Sequence, residues 1–412
     1  MRFSLTFFVV AAVGVSSLAR AYESVSLEDP ATNPGFGAFY NNDYDGAIAY
    51  FTEQVKAHPD DPAQYNHLAQ SVLYREMFRD GVLESQLVTG NNAFLRRAKM
   101  EISPEDKQRF FDSIHQALQL GEARLKKDPK DVLATYSLAV THGLRANYSF
   151  LVEKAWMDSL HEATAARKLS QQALRLDPNF VDARLILGLD EYVVGCLPFY
   201  LRAIGTIGGF HGDKPGGIAQ LQLVSTSGVI NRYDAQILLA VIYRRERAAE
   251  QAIPLLQDLA TRFPRNYLFR FEQVQMYSDA GNKQAALQVL AHIDALRRAG
   301  APGYADLPAE KVGYFKGNLL FWYGDLDVAL TNLKQATQKA DELDLNTAVL
   351  AWLRLGQVYD LQGNHQNAIE AYRQTMKTAP KSEVALEAQH YISTPYRRDD
   401  VRPNPQSSET LE

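Results

Sequence analysis

The side chains best suited to chemistry are few and scattered along the 412 residues. The nine histidines show no HExxH spacing, and no CxxC or GxSxG motif supplies a ligand pair or a nucleophile elbow. His58, His67, His115, His142 and His161 each sit singly in helical or helix-end contexts, where core or surface roles outweigh metal ligation. Cys196 is the one cysteine, which excludes an intramolecular disulfide. His211 lies too far along the chain to mark Cys196 as a nucleophile with its base. Acidic pairs such as Asp60-Asp61, Asp190-Glu191 and Asp399-Asp400 read as helix ends or solvated charge, and nothing selects a pair for acid–base work. No catalytic residue, metal or cofactor is expected.

The least ordinary segment is 188–221, where Gly205, Gly208, Gly209, Gly212, Gly216 and Gly217 crowd together. A phosphate-binding loop needs Gly-Lys followed by Ser or Thr, whereas Lys214 follows Asp213 and precedes Pro215. A helix is expected from Val181 through Tyr192, interrupted at Pro198 and resuming near Ile218. Two readings stay open. The glycines form a conformationally demanding connection, or Leu197, Phe199, Tyr200 and Phe210 line an apolar pocket with Asp213 and Lys214 at its rim.

Helical periodicity positions these residues. Within 349–382 stand Trp352, Leu355, Gly356 and Tyr359, then Ala368 and Tyr372, then Pro380. This spacing resembles the tetratricopeptide repeat (TPR) family, in which small and large residues alternate so that two helices pack closely and a proline ends the second. Related patterns occupy 233–266 (Leu239, Ala240, Tyr243, Ala252, Leu256), 267–300 (Tyr277, Gly281, Ala286, Leu290) and 310–343 (Gly317, Leu320, Gly324, Ala329, Leu333). Upstream, His58-Pro59, Asp128-Pro129 and Asp177-Pro178 close helix-forming runs at longer spacings. Eight units follow: 28–61, 62–131, 132–180, 181–232, 233–266, 267–309, 310–348 and 349–382. The resemblance implies an all-α, TPR-type α-solenoid with insertions in its N-terminal half. Residues 22–232 are irregular units and 233–392 regular ones. Insertions in such arrays often map to the binding face, so specificity is expected in the first half. Blocks 143–156, 166–192 and 209–223 also resemble exported bacterial, acidobacterial-type TPR proteins. A short stretch within 188–221 is similar to the TTC39/Iml2 group.

The resemblance implies a protein-binding scaffold whose partner lies against the first helix of each unit. The matching positions are Asn66, His67, Gln70 and Tyr74, then Phe271, Glu272, Gln275 and Asp279. They continue with Tyr314, Asn318, Phe321 and Trp322, and finally Arg354, Gln357 and Asp360. Aromatic rings can anchor a peptide there while amides bond its backbone. The rings at 314, 321 and 322 can equally serve packing between helices. A small-molecule or lipid carrier using 195–217 is the alternative function.

Composition sets the remaining bounds. A net charge of −5 with no large Lys/Arg cluster gives no electrostatic case for nucleic acid. Arg2, the apolar run Phe3–Leu18 and Ala19-Arg20-Ala21 read as a signal peptide over 1–21, implying a periplasmic or secreted protein. No later segment is apolar enough to span a bilayer. From 393 to 412 the Pro-, Arg-, Asp- and Ser-rich composition predicts a disordered tail.

Overall fold

The computed structural model describes residues 29–83, 100–196, 212–380 and 382–398. The signal-like segment 1–21 and the pocket residues Leu197, Phe199, Tyr200 and Phe210 lie outside them. Among the described residues there are seventeen α-helices and no strand. In chain order they form eight antiparallel pairs: α1 Pro34–Tyr40 with α2 Tyr44–Ala57, α3 Pro62–Arg79 with α4 Pro104–Lys127, α5 Val132–Tyr148 with α6 Trp156–Leu176, and α7 Arg184–Gly195 with α8 Lys214–Ser227. Next come α9 Arg232–Arg245 with α10 Ala249–Arg262, α11 Tyr267–Asp279 with α12 Lys283–Arg298, α13 Ala309–Tyr323 with α14 Leu326–Gln338, and α15 Leu345–Leu361 with α16 His365–Thr378. A last helix, α17 Glu383–Ser393, covers the end of the stack.

Local signals set these boundaries. Asp61, Ser103, Asp131 and Asn364 accept bonds from exposed amides of the helices they precede, and prolines start α3 and α4. Between the helices of the last two pairs, Gly324 and Gly363 adopt φ of +86° and +76°, the left-handed conformation glycine takes without strain.

The last two pairs close by a small residue against a large one. A Cβ built on Gly317 would lie 2.7 Å from Leu333 Cγ, and one on Gly356 would lie 2.9 Å from Tyr372 Cζ, inside van der Waals contact. The ring of Tyr372 makes the close contact with Gly356. Ala368 is itself fully buried. The glycine-rich block uses the same device. A Cβ on Gly188 would meet the Gly217 carbonyl at 2.9 Å, and one on Gly217 would meet Tyr192 N at 2.7 Å, so α7 and α8 cross nearly backbone to backbone. Helix α8 also starts at Lys214, earlier than the expected Ile218. Asp213 caps it, and Pro215 sits in its first turn.

One long apolar cluster runs from Phe39 to Met276 and a second from Phe271 to Tyr396. Helix α11 contributes to both, Phe269 and Met276 to the first and Phe271 and Val274 to the second. The array also turns back on itself. The Tyr40 hydroxyl donates to Asp234 Oδ1 (3.0 Å), Asn266 Nδ2 donates to the Tyr40 carbonyl (2.8 Å), and Asn42 Nδ2 donates to Asn266 Oδ1 (2.8 Å). The Tyr40 ring meets Tyr233 and Phe263, with centroids 5.7 and 4.9 Å away. The first pair therefore docks on the fifth and on the start of the sixth.

Two measurements test this architecture. In an open helix, Gly356→Ala would gain helix propensity of about 1 kcal/mol. Here the added methyl collides with a buried ring whose hydroxyl is held by Asp360, so a net loss of about 1–3 kcal/mol is expected. An unchanged urea midpoint would refute the register. Burial raises the Asp234 carboxyl to about 6, and the Tyr40 bond only partly offsets it. A raised carboxyl favours the folded state below its unfolded value near 4 and loses that contribution as pH rises to about 6. Asp234→Asn, which keeps an acceptor for Tyr40, should gain up to about 2 kcal/mol relative to the native chain at pH 7 and none at pH 3.5. Parallel pH profiles would contradict this.

Candidate functional site: the inner face of the last helix pairs

The anticipated inner-face residues separate into three groups with different fates. On α3, Asn66 is buried. Its Nδ2 donates to the Ser137 carbonyl at 2.8 Å, and its Oδ1 accepts from the Thr141 hydroxyl at 2.8 Å, locking α3 to α5. His67 packs edge-on to Phe36 at 4.7 Å and against Phe51 at 5.2 Å. Burial pulls its imidazole down to about 4, which makes it a neutral packing group. Tyr74 lies against Phe39, with centroids 5.1 Å apart, and burial drives its hydroxyl upward. Gln70 is half-buried beside them. Three of these four side chains are thus drawn into packing between helices, against the expectation that specificity lies in the first half.

The second group, on α11, gathers around Arg244 of α9. Arg244 takes Glu272 at 3.5 Å, Asp279 at 3.5 Å and the side-chain oxygen of Gln275, tying α9 to α11. Phe271 is buried and stacks on Phe315 with centroids 4.1 Å apart. Burial raises the Asp279 carboxyl and Arg244 pulls it back, leaving it above the usual range. Arg244 was absent from the sequence-based set, although it stands on the same inner-face rows of the fifth unit.

The third group, on α13 and α15, has a different character. Tyr314 is buried edge-on to Phe315 at 5.3 Å. Trp322, by contrast, remains 48 % exposed. The Arg354 guanidinium lies against both Phe321 and Trp322, 4.4 and 4.7 Å from the ring centroids. Its Nε donates to Asn318 Oδ1 at 2.9 Å and its Nη1 to Gln357 Oε1 at 2.6 Å. Gln357 Nε2 reaches Glu387 of α17 at 3.4 Å. Burial lowers the Arg354 pKa, which nonetheless leaves the group cationic at neutral pH. Cation–π contact and two amide bonds therefore hold an exposed indole against a fixed support.

Asp360 is fully enclosed rather than available to a ligand. Its Oδ1 pairs with His365 Nδ1 at 2.7 Å, while Oδ2 accepts from the Tyr372 hydroxyl and the Tyr396 amide, each at 2.7 Å. The chain after α17 consequently turns back over α15. Tyr396 is only 3 % exposed and packs against Tyr391 (5.2 Å) and Phe321 (6.0 Å). The expected disorder from 393 does not apply through Arg398, because one aromatic residue in a polar tail finds a buried seat. That isolated tyrosine beside two arginines was the available sequence signal.

Asp213 and Lys214, the expected pocket rim, have partners of their own. Asp213 Oδ1 accepts from the Gly216 amide at 3.1 Å as the cap of α8, and Lys214 pairs with Glu246 at 3.1 Å. Asp190 is also not a solvated helix-end charge. It is largely buried near Arg167 (3.8 Å), and burial lifts its carboxyl to about 6. His142 pairs with Glu162 at 2.6 Å, and Arg145 takes the other carboxylate oxygen at 2.8 Å, an ion cluster between α5 and α6. Among the described residues no three His, Cys, Asp or Glu side chains converge as metal ligands, and no helix is long and apolar enough to cross a membrane.

A family comparison agrees with the repeat geometry over part of the chain. The tetratricopeptide repeat family model matches residues 316–383, the span that contains most of α13 to α16. No curated protein sequence matches the chain. Among solved structures, yeast Tom70 aligns at 13 % identity over 92 % of this chain and 91 % of its own, with a TM-score of 0.38. A human IFIT1 dimer with m7Gppp-AAAA aligns at 14 % identity over 86 % and 92 %, with a TM-score of 0.34. The fold is an all-α, TPR-type α-solenoid.

His67 offers a check on the packing of the first group. An imidazole whose folded pKa lies below its unfolded value near 6.5 supports the fold above that value. The support is lost as pH falls toward about 4. His67→Leu should remove this acid-side decline, worth at most about 3 kcal/mol, while leaving the melting midpoint at pH 7.5 nearly unchanged. A variant declining as steeply as the native chain would show that His67 is solvated.

Proposed function

We propose that the chain is a non-enzymatic repeat scaffold that holds a protein or peptide partner on the inner face of α13 and α15. The observation that carries this reading is Trp322, a large ring left 48 % exposed yet braced by Arg354. Interface anchors are typically aromatic residues already held in place, because little side-chain freedom is then lost on binding. Tetratricopeptide repeats bind protein partners, and the repeat match covers this face. The proposed setting is the cell envelope, supported by the signal-like composition of residues 1–21.

Affinity capture from envelope extracts tests the reading with two exposed positions. Trp322→Ala should reduce recovery of specific partners by about tenfold or more, as for an interface anchor. Val328→Ala, an exposed site on α14, should leave recovery unchanged. Identical recoveries from the native chain and Trp322→Ala would exclude this face.

A further inference from the structure

The segment that follows α17 has the properties of a bound peptide. Thr394 is extended (φ −132°, ψ 98°), the conformation imposed on a residue before proline, and Pro395 then keeps the backbone from continuing the helix. From Ser393 to Arg398 only Tyr396 is buried, and the other five residues are exposed. Its ring sits among Phe321 and Tyr391, and its amide donates to Asp360. Two residues on, the Arg398 Nη2 donates to the Phe321 carbonyl at 2.7 Å, with the guanidinium 5.7 Å from the Phe321 ring. Phe321 lies in the last turn of α13, where its carbonyl also accepts from the Gly324 amide at 3.1 Å and the negative end of the helix dipole favours a cation.

These contacts define a recognition code: an aromatic seat, a carboxylate for the backbone amide, and a helix C-terminus for a basic group. Phe321 belongs to both this seat and the Arg354–Trp322 assembly, so the strap and a partner of that assembly compete for adjoining surface. We propose that residues 394–398 are a built-in occupant of this site, and that the partner is an extended peptide presenting an aromatic residue with an arginine two positions later, which displaces them. This rests on the scaffold reading above and adds the partner's chemistry and a means of regulation. Only one side chain of this strap, Tyr396, is buried, and the strap forms no part of the helix pairs.

The test is fluorescence anisotropy with a labelled synthetic hexapeptide, Ser-Thr-Pro-Tyr-Arg-Arg, the sequence of residues 393–398. The full-length Tyr396→Ala/Arg398→Ala chain should bind it at least tenfold more tightly than the native chain, and a peptide with alanine for tyrosine should not bind. Equal affinity for both chains, or no binding to a double variant that keeps its helical circular dichroism, would overturn the proposal. If the double variant loses helicity, the exposed Arg398→Ala change alone should raise affinity about threefold, and no rise would overturn it equally. Capture that depends on Trp322 but is indifferent to the tail substitutions would remove the strap and leave the scaffold reading standing. Peptide exchange without any Trp322-dependent capture would do the reverse.

Discussion

A two-helix hairpin becomes a stackable unit only when its two helices pack closely, and everything else in this chain depends on how closely they approach. That distance is set by glycine facing a bulky side chain. Gly317 receives Leu333, and at the equivalent position one unit later Gly356 receives Tyr372. The same economy of space governs the crossing of α7 and α8, where Gly188 and Gly217 remove side chains altogether. The glycines at 188 and 217 are thus explained by packing, with no ligand required.

Closure of the array decides which part of the inner surface remains available. Tyr40, Asn42 and Asn266 join the first pair to the fifth and sixth, and Phe78 reaches Tyr267 at 6.1 Å. On α3, stacking between neighbouring pairs has the same effect, Asn66 facing α5 and His67 facing α1 and α2. The carboxyl of Asp234 is raised because the docked pair excludes water from it. The C-terminal pairs lie beyond this contact, and there Trp322 stays in solvent.

The regular units could be read from sequence because their packing is local. Ala329, Ala368, Leu333 and Tyr372 are fully buried, as the fixed offsets within one hairpin require. Inner-face rows were legible as rows, but not as vacant or occupied. Asn66, Gln357 and Asp360 are all polar residues on these rows, and each is occupied by partners that the pattern does not show. Asn66 is claimed by α5, Asp360 by His365, Tyr372 and the amide of Tyr396. Arg354 was visible as a candidate, whereas its brace of Asn318, Gln357 and two rings depends on the register between α13 and α15. Such register is a property of stacking, and a one-dimensional pattern does not encode it directly.

Asp360 shows why structure and recognition cannot be separated at this end of the molecule. A buried carboxylate is costly unless its oxygens are bonded, and here three donors from two segments meet it. His365 and Tyr372 lie on α16, the partner helix of the same hairpin, so they are supplied by folding itself. The third donor is the amide of Tyr396, in a short segment held by one ring and one guanidinium. Removing that segment leaves Asp360 with two donors and Phe321 with an uncovered face. The site then favours an extended chain that restores both contacts, because a backbone amide and an aromatic ring are what it has lost.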